Sequence, residues 1–201
     1  MSLKNLSAKT KIPKILKNKL NDSKVDHIYK KFEKLLDVNE NFIVAVSGGP
    51  DSLALAFFSK IYSIKKKLNA KYYIINHQLR SESSSEAKYV KKILRKLYIN
   101  AEILNWRGTK PKNNIQSLAR TKRLELLFSK CRRSGINNIL LGHHQEDLFE
   151  NFFIRILRGS GLKGLISFGK KTKFGNINVL RPLINEKKQD LILVSKKVFG
   201  F

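Results

Sequence analysis

The strongest structural signal in this chain lies in residues 42–58, which read Phe42-Ile43-Val44-Ala45-Val46-Ser47-Gly48-Gly49-Pro50-Asp51-Ser52-Leu53-Ala54-Leu55-Ala56-Phe57-Phe58. The apolar run at the start indicates a buried β-strand, and the apolar run at the end indicates a helix. Between them, Gly48 and Gly49 let the backbone come close to a ligand and adopt positive φ. A strand, a glycine turn and a helix N-terminus are together typical of an anion site, because the first helical N–H groups and the helix dipole attract phosphate.

Polar side chains of the turn strengthen this interpretation. Ser47 and Ser52 bring hydroxyl donors, and Asp51 can hold a Mg²⁺ ion that bridges phosphate oxygens. The turn is not a Walker A loop, because no lysine follows the glycines, and it is not G-x-G-x-x-G. The plain alternative is a helix cap after a glycine turn, with no ligand.

The composition indicates one domain with an anionic partner. The chain has 201 residues, is 42% hydrophobic and carries a net charge of +26, from 41 basic and 15 acidic residues. Nucleic acid is the first partner to consider and an acidic membrane surface the second, although codon bias toward lysine would also raise the charge. Two segments, 106–135 and 155–181, hold nine and seven basic residues against a single acid, Glu125. Codon bias does not explain segments so poor in carboxylates, so they favour contacts with nucleic-acid phosphates.

The single cysteine, Cys131, cannot form an internal disulfide, and no Cys/His cluster has zinc spacing. The cytosol is therefore the expected compartment. No apolar stretch approaches the length of a membrane span, so no segment is expected to span a membrane, and the N-terminus lacks the apolar core of a signal peptide. We expect nucleic acid, and no membrane, as the partner.

Strands and helices are predicted to alternate along the chain. Residues 1–24, rich in Lys and Asn and interrupted by Pro13, indicate a basic mobile arm, and residues 25–201 a single domain. Apolar runs predict strands at about 42–46, 72–76, 101–104, 138–142 and 177–180. Helical periodicity predicts helices at about 25–38, 52–66, 89–98, 114–133, 146–158 and after residue 183, with a loop at 162–175. This alternation predicts an α/β fold with an open parallel sheet and flanking helices.

Ligands of parallel sheets bind beyond the carboxyl ends of the strands. That edge would collect the Ser47 turn, Asn76-His77 and the block Gly142–Asn151, in which two histidines and three carboxylates fall close together. On a helix starting near Glu146 the carboxylates would lie within the first turns, where they are also good capping residues. Zinc fits poorly, because the spacing matches no usual ligand set. Mg²⁺ or substrate contact fits better, with Asp147 or His143 as the residues of interest.

Taken in order, these blocks resemble the catalytic domain of the tRNA(Ile)-lysidine synthases, within the N-type ATP pyrophosphatases, whose fold is called adenine nucleotide alpha hydrolase-like. The resemblance covers about residues 40–195. It rests on Ser47–Ser52, the strand end at His77, the helix Ile115–Arg123, the block Gly142–Asn151, Arg158–Gly161 and Arg181-Pro182-Leu183. The first block alone is shared with other ATP pyrophosphatases, and the later blocks are more specific.

The resemblance implies a ligase reaction with ATP and Mg²⁺. ATP would adenylate the carbonyl of the wobble cytidine in tRNA(Ile) with a CAU anticodon, and free lysine would displace AMP. It implies a nucleotide site formed by Ser47, Gly48, Gly49, Pro50, Asp51, Ser52 and His77, with Asp51 as the metal ligand. Asp51, Asp147 and His143 are the implied catalytic residues. Arg120, Arg123 and Arg158 are implied to contact phosphate or tRNA.

Some features depart from the family pattern. Glu146 and Asn151 stand where the family often has Asp and Thr. An Asp-Ser-Asn segment and a Tyr-x-Arg-Asn stretch are missing after Phe201, so the catalytic domain is expected to be cut short. Three alternatives stay open: a tRNA cytidine thiolase, which usually needs a Cys-x-x-Cys pair, a GMP synthetase-type enzyme and a non-catalytic RNA-binding module. Whether the chain forms a homodimer also stays open.

Overall fold

The computed structural model describes residues 11–106, 115–150 and 169–201, and within helix 115–134 it describes side chains from residue 118 onward. These parts form a six-stranded sheet with the order β3-β2-β1-β4-β6-β5. Strands β1, β2, β3, β4 and β6 run parallel, and β5 pairs antiparallel with β6. The strands are β1 (Phe42–Val46), β2 (Ala70–Asn76), β3 (Ala101–Asn105), β4 (Asn138–Leu140), β5 (Lys171–Phe174) and β6 (Ile177–Leu180). The predicted fold, a mainly parallel open sheet with flanking helices, is confirmed.

Helices flank both faces of this sheet. They are α1 (Lys14–Leu20), α2 (Ser23–Leu35), α3 (Pro50–Lys66), α4 (Ser83–Arg95), α5 (Ile115–Ser134), α6 (145–150, at the limit of the described residues) and α7 (Lys188–Phe199). Helices α2 and α4 are strongly amphipathic, as their periodicity predicts. Helix α3 is buried along most of its length, because it packs between β1, β2, α2 and α7.

The two faces of the central strand β1 belong to separate cores. Phe42, Val44 and Val46 pack into the larger core, with residues of α1, α2, α3, α4 and α7. Ile43 and Ala45 pack into the smaller core, with side chains of α5. Successive side chains of a strand point to opposite faces, so a strand covered on both faces must be apolar throughout. This explains the unbroken apolar run that precedes the glycine turn.

Strand β5 was missed from the sequence, since residues 162–175 were predicted to be a loop. Residues 162–168 lie outside the described part, but Lys171–Phe174 pair with β6 as an edge strand. Lys171 and Lys173 are exposed, so this strand lacks the apolar run used to find the others. The two-residue turn Gly175-Asn176, with φ of +56° at the glycine, is the local signal that could have identified this hairpin.

The predicted basic arm at residues 1–24 is corrected over its second half. Lys14–Leu20 form helix α1, and the side chain of Leu16 is completely buried in the larger core. Asp22 caps α2 by accepting hydrogen bonds from the backbone N–H groups of Lys24 and Val25, at 3.1 and 3.2 Å. Pro13 lies at the N-cap of α1, where a proline is tolerated, instead of breaking a helix. Residues 1–10 lie outside the described part, so an arm there stays a prediction.

Candidate functional site

A cavity of about 430 Å³ opens beyond the carboxyl ends of β1, β2 and β4. Its floor is the end of β1 and the turn that leads into α3. Its walls come from the ends of β2 and β4, from α4 and from α5. The polar and charged side chains that line it are those of Ser47, Asp51, Ser52, Asn76, His77, Arg80, Ser83, Glu86, Arg123, His143 and Asp147. This is the sheet edge at which the sequence predicted a site.

The Ser52 hydroxyl organises the turn between β1 and α3. Its Oγ accepts hydrogen bonds from the backbone N–H groups of Ser47 (3.1 Å) and Gly48 (3.0 Å), and donates one to the carbonyl of Gly49 (2.9 Å). The Ser52 hydroxyl therefore shapes the turn from inside. The N–H groups of Asp51 and Ser52, in the first turn of α3, have no acceptor within the helix and are suited to an anion.

Two glycines allow close approaches around the turn. Gly48 has φ of +94°, and a Cβ there would lie 2.6 Å from Cγ2 of Val90 on α4. Gly142, just after β4, lies against the start of α3, and a Cβ there would be 3.1 Å from the backbone oxygen of Asp51. The positive φ predicted for Gly49 is wrong, because this residue is the extended N-cap of α3 with φ of −72°. Gly48 alone thus makes the left-handed step of the turn.

A cluster of carboxylates surrounds the buried imidazole of His144. Its Nδ1–H donates to Oε2 of Glu146 at 2.8 Å, and its Nε2 lies 3.6 Å from Oδ2 of Asp51 and 3.5 Å from Oδ2 of Asp147. Asp147 also caps α6, because its Oδ2 accepts the backbone N–H of His144 at 2.9 Å. These contacts bring Asp51 and Asp147, from distant parts of the chain, to one side of the cavity.

Asp51 is the least satisfied carboxylate in this cluster. Its Oδ1 is buried and has no hydrogen-bond partner among the described residues. Burial raises the pKa of this carboxyl above its usual value, although the neighbouring His144 opposes the shift. A buried carboxylate oxygen without a donor is a costly feature in a free protein, and a cation bound in the cavity would compensate it.

His143 lies at a different wall of the cavity and faces a buried arginine. Its Nδ1 accepts a hydrogen bond from Nε of Arg181 at 3.2 Å. Burial, together with the charges of Arg181, Arg120 and Arg123, lowers the pKa of His143 to about 3. The imidazole is therefore neutral at physiological pH.

Arg123 supplies positive charge to the cavity. It projects from α5, and burial together with the charge of Arg120 lowers its pKa. No carboxylate pairs with its guanidinium among the described residues. Arg123 in turn adds to burial in lowering the pKa of His77, whose buried Nδ1 has no hydrogen-bond partner in the same parts of the chain. A half-buried cation that pairs with no carboxylate in the described ranges suits an anionic ligand.

The structure brings together most of the residues singled out from the sequence. Ser47, Asp51, Ser52, His77, Arg123, His143 and Asp147 all line the cavity. Arg120 is exposed on α5, close enough for its charge to act on Arg123 and His143. Arg158 lies outside the described residues. The roles assigned to all of these residues stay predictions.

Sequence reasoning missed His144 and Arg181 as parts of the site. His144 was passed over in favour of its neighbour, although His144 contacts the carboxylates. Arg181 was noted within Arg181-Pro182-Leu183 but given no role. The available signal for Arg181 was its position, because it directly follows β6, whose end lies at the same sheet edge as the ends of β1 and β4.

Other observations limit the chemistry. Cys131 is buried in the smaller core, and burial raises the pKa of its thiol to about 11, so it is not a reactive thiolate. As the sole cysteine of the sequence, it also cannot form a Cys-x-x-Cys pair. Within residues 11–106, 115–150 and 169–201, no group of three or more His, Cys, Asp or Glu side chains forms a ready metal site. In the same ranges no helix has the length and apolar character that crossing a bilayer requires.

Comparison with known proteins identifies one matching family model and several relatives that share one name. The family model described as "PP-loop domain" matches residues 18–198. The tRNA(Ile)-lysidine synthase of Orientia tsutsugamushi is 43% identical over 153 residues, which cover 76% of this chain and 34% of that protein. Those of Bradyrhizobium diazoefficiens and Rickettsia akari are 35% and 34% identical, and the matches cover 79% and 87% of this chain but 45% and 42% of theirs. The chain therefore spans between a third and a half of the length of these curated relatives.

Solved structures confirm the fold. The U34-tRNA thiolase NcsA from Methanococcus maripaludis, solved with its [4Fe-4S] cluster, superposes with a TM-score of 0.75 at 18% sequence identity. The match covers 87% of this chain and 63% of the thiolase. At this identity the likeness concerns the fold alone. From the family match over most of its length, together with the strand, glycine turn and helix that build the cavity, this chain belongs to the PP-loop domain family.

Proposed function

We propose that this chain binds ATP in the cavity and catalyses the ATP-dependent conversion of the wobble cytidine of tRNA(Ile), in a CAU anticodon, to lysidine. The proposal that the cavity binds a nucleotide rests on two of its groups, which lack a partner of the kind they need among the described residues. The buried Oδ1 of Asp51 lacks a donor, and the guanidinium of Arg123 lacks a carboxylate among the described residues. A metal–triphosphate complex would satisfy both, because it presents a cation to Asp51 and anionic oxygens to Arg123.

The residues present fit a Mg²⁺ ion. Mg²⁺ is usually bound by one or two carboxylates together with substrate phosphates and waters, so a preformed cluster of three protein ligands is not required. Asp51 and Asp147, which both approach His144 from the cavity side, would hold the ion. The bound ion would neutralise charge on the phosphates as pyrophosphate leaves.

The protein groups would position the nucleotide for adenylation. The N–H groups at the start of α3 would bind phosphate oxygens, as the N-terminus of a helix favours negative charge. Arg123 would stabilise the charge that develops on the departing pyrophosphate. His77, at the end of β2, would contact the nucleoside, since its ring packs edge-on against Trp106 and its Nδ1 needs a partner.

The tRNA and lysine parts of the proposal rest on charge and on relatives. The strongly basic chain suits a polyanion, and Arg120, on the exposed side of α5, lies beside the cavity and would contact tRNA phosphate. The curated relatives that share 32–43% identity are named tRNA(Ile)-lysidine synthases. Free lysine would then attack the activated carbonyl and displace AMP. A thiolase reaction that uses an iron–sulfur cluster has no matching cysteine set here, because Cys131 is the sole cysteine.

The test measures transfer of radiolabelled lysine to a tRNA(Ile) transcript with a CAU anticodon. Transfer should require ATP, release AMP, and disappear with a transcript whose wobble cytidine is replaced by uridine. Asp51→Asn, which keeps the shape of the side chain but removes its charge, should abolish transfer. Its thermal midpoint should be equal to that of the parent or higher, because burial disfavours the charged carboxylate in the folded protein.

If no lysine is transferred, separate measurements of ATP and tRNA binding show which part of the proposal is wrong. Binding of ATP and of tRNA without any lysine transfer would overturn the ligase proposal and favour the non-catalytic RNA-binding module. A parent protein that is folded but binds no ATP would overturn the nucleotide proposal itself. Full transfer by Asp51→Asn would show that the metal and nucleotide roles given to this residue are wrong.

A further inference from the structure

Arg181 is held in a fixed position between the cavity wall and the edge hairpin β5–β6. It follows β6 directly and is buried, with 6% of its surface exposed. Its NH1 group donates to the carbonyl of Gly169 at 2.9 Å and to Oγ1 of Thr172 at 2.8 Å. Its Nε then points to Nδ1 of His143 at 3.2 Å. The parallel pairing of β4 with β6 explains the meeting, because both residues follow strands that end at the same edge.

This contact determines where the imidazole of His143 carries its proton. A guanidinium has donors and no acceptor, so the Nε–H of Arg181 must donate and Nδ1 of His143 must accept. In a neutral imidazole one nitrogen is a donor when the other is an acceptor, so the proton sits on Nε2. The low pKa of His143, caused by burial and by the nearby arginines, keeps the ring in this neutral form.

We propose that Arg181 is a positioning residue that locks His143 as its Nε2–H tautomer, and that His143 donates this hydrogen bond to a phosphate oxygen of the bound nucleotide. The second half of the proposal rests on the proposed ATP-binding function. A phosphate oxygen is the acceptor that fits, because His143 and the cationic Arg123 line the same cavity. His143 then acts as a neutral hydrogen-bond donor and not as a general acid or base, which narrows the catalytic role expected from the sequence.

The tautomer can be measured without any activity. Long-range ¹H–¹⁵N correlation spectra of the full chain, labelled at its four histidines, report which ring nitrogen is protonated. The signals of His143 are assigned by their disappearance in His143→Gln. The expected result at neutral pH is a proton on Nε2 and none on Nδ1. A proton on Nδ1, or a charged ring, would overturn the lock.

Two substitutions at Arg181 test the positioning role. Arg181→Met removes the donor and should leave His143 as a mixture of tautomers, whereas Arg181→Lys keeps a donor and should restore much of the Nε2–H form. A folded Arg181→Met protein with a pure Nε2–H ring would contradict the role of Arg181. If Arg181→Met does not fold, the parent spectrum and the Arg181→Lys spectrum still decide the tautomer.

Two substitutions at His143 test the hydrogen bond to the nucleotide. The amide of glutamine lies near the place of Nε2 and that of asparagine near the place of Nδ1, so only His143→Gln keeps a donor directed to the ligand. By calorimetry with a non-hydrolysable ATP analogue, we expect an affinity within a few-fold of the parent for His143→Gln. For His143→Asn we expect a loss of roughly 10- to 100-fold, as for a hydrogen bond to a charged group.

The outcomes separate this proposal from the function on which it rests. Equal losses in the two His143 variants would overturn the donor role. No binding of the analogue by the parent would overturn the nucleotide half together with the proposed function. The tautomer lock would then be decided by the spectra of the free protein alone.

Discussion

Substitution of Gly48 by alanine should destabilise the protein through two separate effects. The residue has φ of +94°, where a side chain adds strain of about 1–2 kcal/mol. The new Cβ would also lie 2.6 Å from Cγ2 of Val90, and overpacking of this kind costs about 1–3 kcal/mol. We therefore expect the free energy of unfolding, measured by urea denaturation, to fall by about 2–5 kcal/mol.

Gly200 provides a matched control for this prediction. It has the same φ of +94° at the end of α7, but a Cβ there would meet no atom within 4 Å. Gly200→Ala should thus show the backbone strain alone, about 1–2 kcal/mol. Adding Val90→Ala to Gly48→Ala should recover part of the steric loss in a double-mutant cycle. Equal destabilisation by Gly48→Ala and Gly200→Ala would refute the close contact between the turn and α4.

Three further predictions concern the cavity. Arg123→Met should weaken binding of an ATP analogue, measured by calorimetry, by roughly 10- to 100-fold. The free energy of unfolding should stay equal or rise, because the half-buried guanidinium has no carboxylate partner among the described residues. A loss of stability with unchanged affinity would contradict this. The pKa of His143 is about 3 in the folded protein against an ordinary 6.5, so the unfolded chain binds more protons between these values and stability falls as the pH drops through them. His143→Gln should flatten that fall in a series of thermal melts, and parallel curves for parent and variant would be evidence against the buried neutral ring. Gly142→Ala should reduce the free energy of ATP-analogue binding more than the free energy of unfolding, because its Cβ would lie 3.1 Å from the backbone oxygen of Asp51. An unchanged dissociation constant would count against this tight approach.

The sheet could be predicted from the sequence because its strands are buried on both faces. Strand β1 is apolar at every position, and its observed limits, Phe42–Val46, are those predicted. Strand β5 escaped prediction because an edge strand exposes one side to solvent and needs no apolar run, as Lys171 and Lys173 illustrate. The helix α1 was missed for a related reason, since only Leu16 among its residues is buried and its remaining pattern is basic.

The position of the site was predictable, but the contacts within it were not. The glycine turn and the two later strand ends place Asp51, His77 and Asp147 at one edge by topology alone. Sequence spacing does not determine in which direction the side chains of His143 and His144 point, and this direction decides which partner each ring contacts. His144 turns toward the carboxylates while His143 turns toward Arg181. The pairing of β4 with β6 brings Arg181 to His143, and the pairing of β4 with β1 brings Asp51 to His144.

The burial of Leu16 has a practical consequence for anyone who trims this polypeptide. The segment recognisable by family comparison begins at residue 18, within helix α1. A shortened version starting there would lose half of that helix and leave a cavity in the larger core, at a cost of about 2–5 kcal/mol for the missing leucine alone. It would also shorten the helix that carries Lys19, whose ammonium donates to the carbonyl of Lys197 at 2.9 Å and ties the first helix to the last. A stable shortened protein should therefore keep the whole of helix α1.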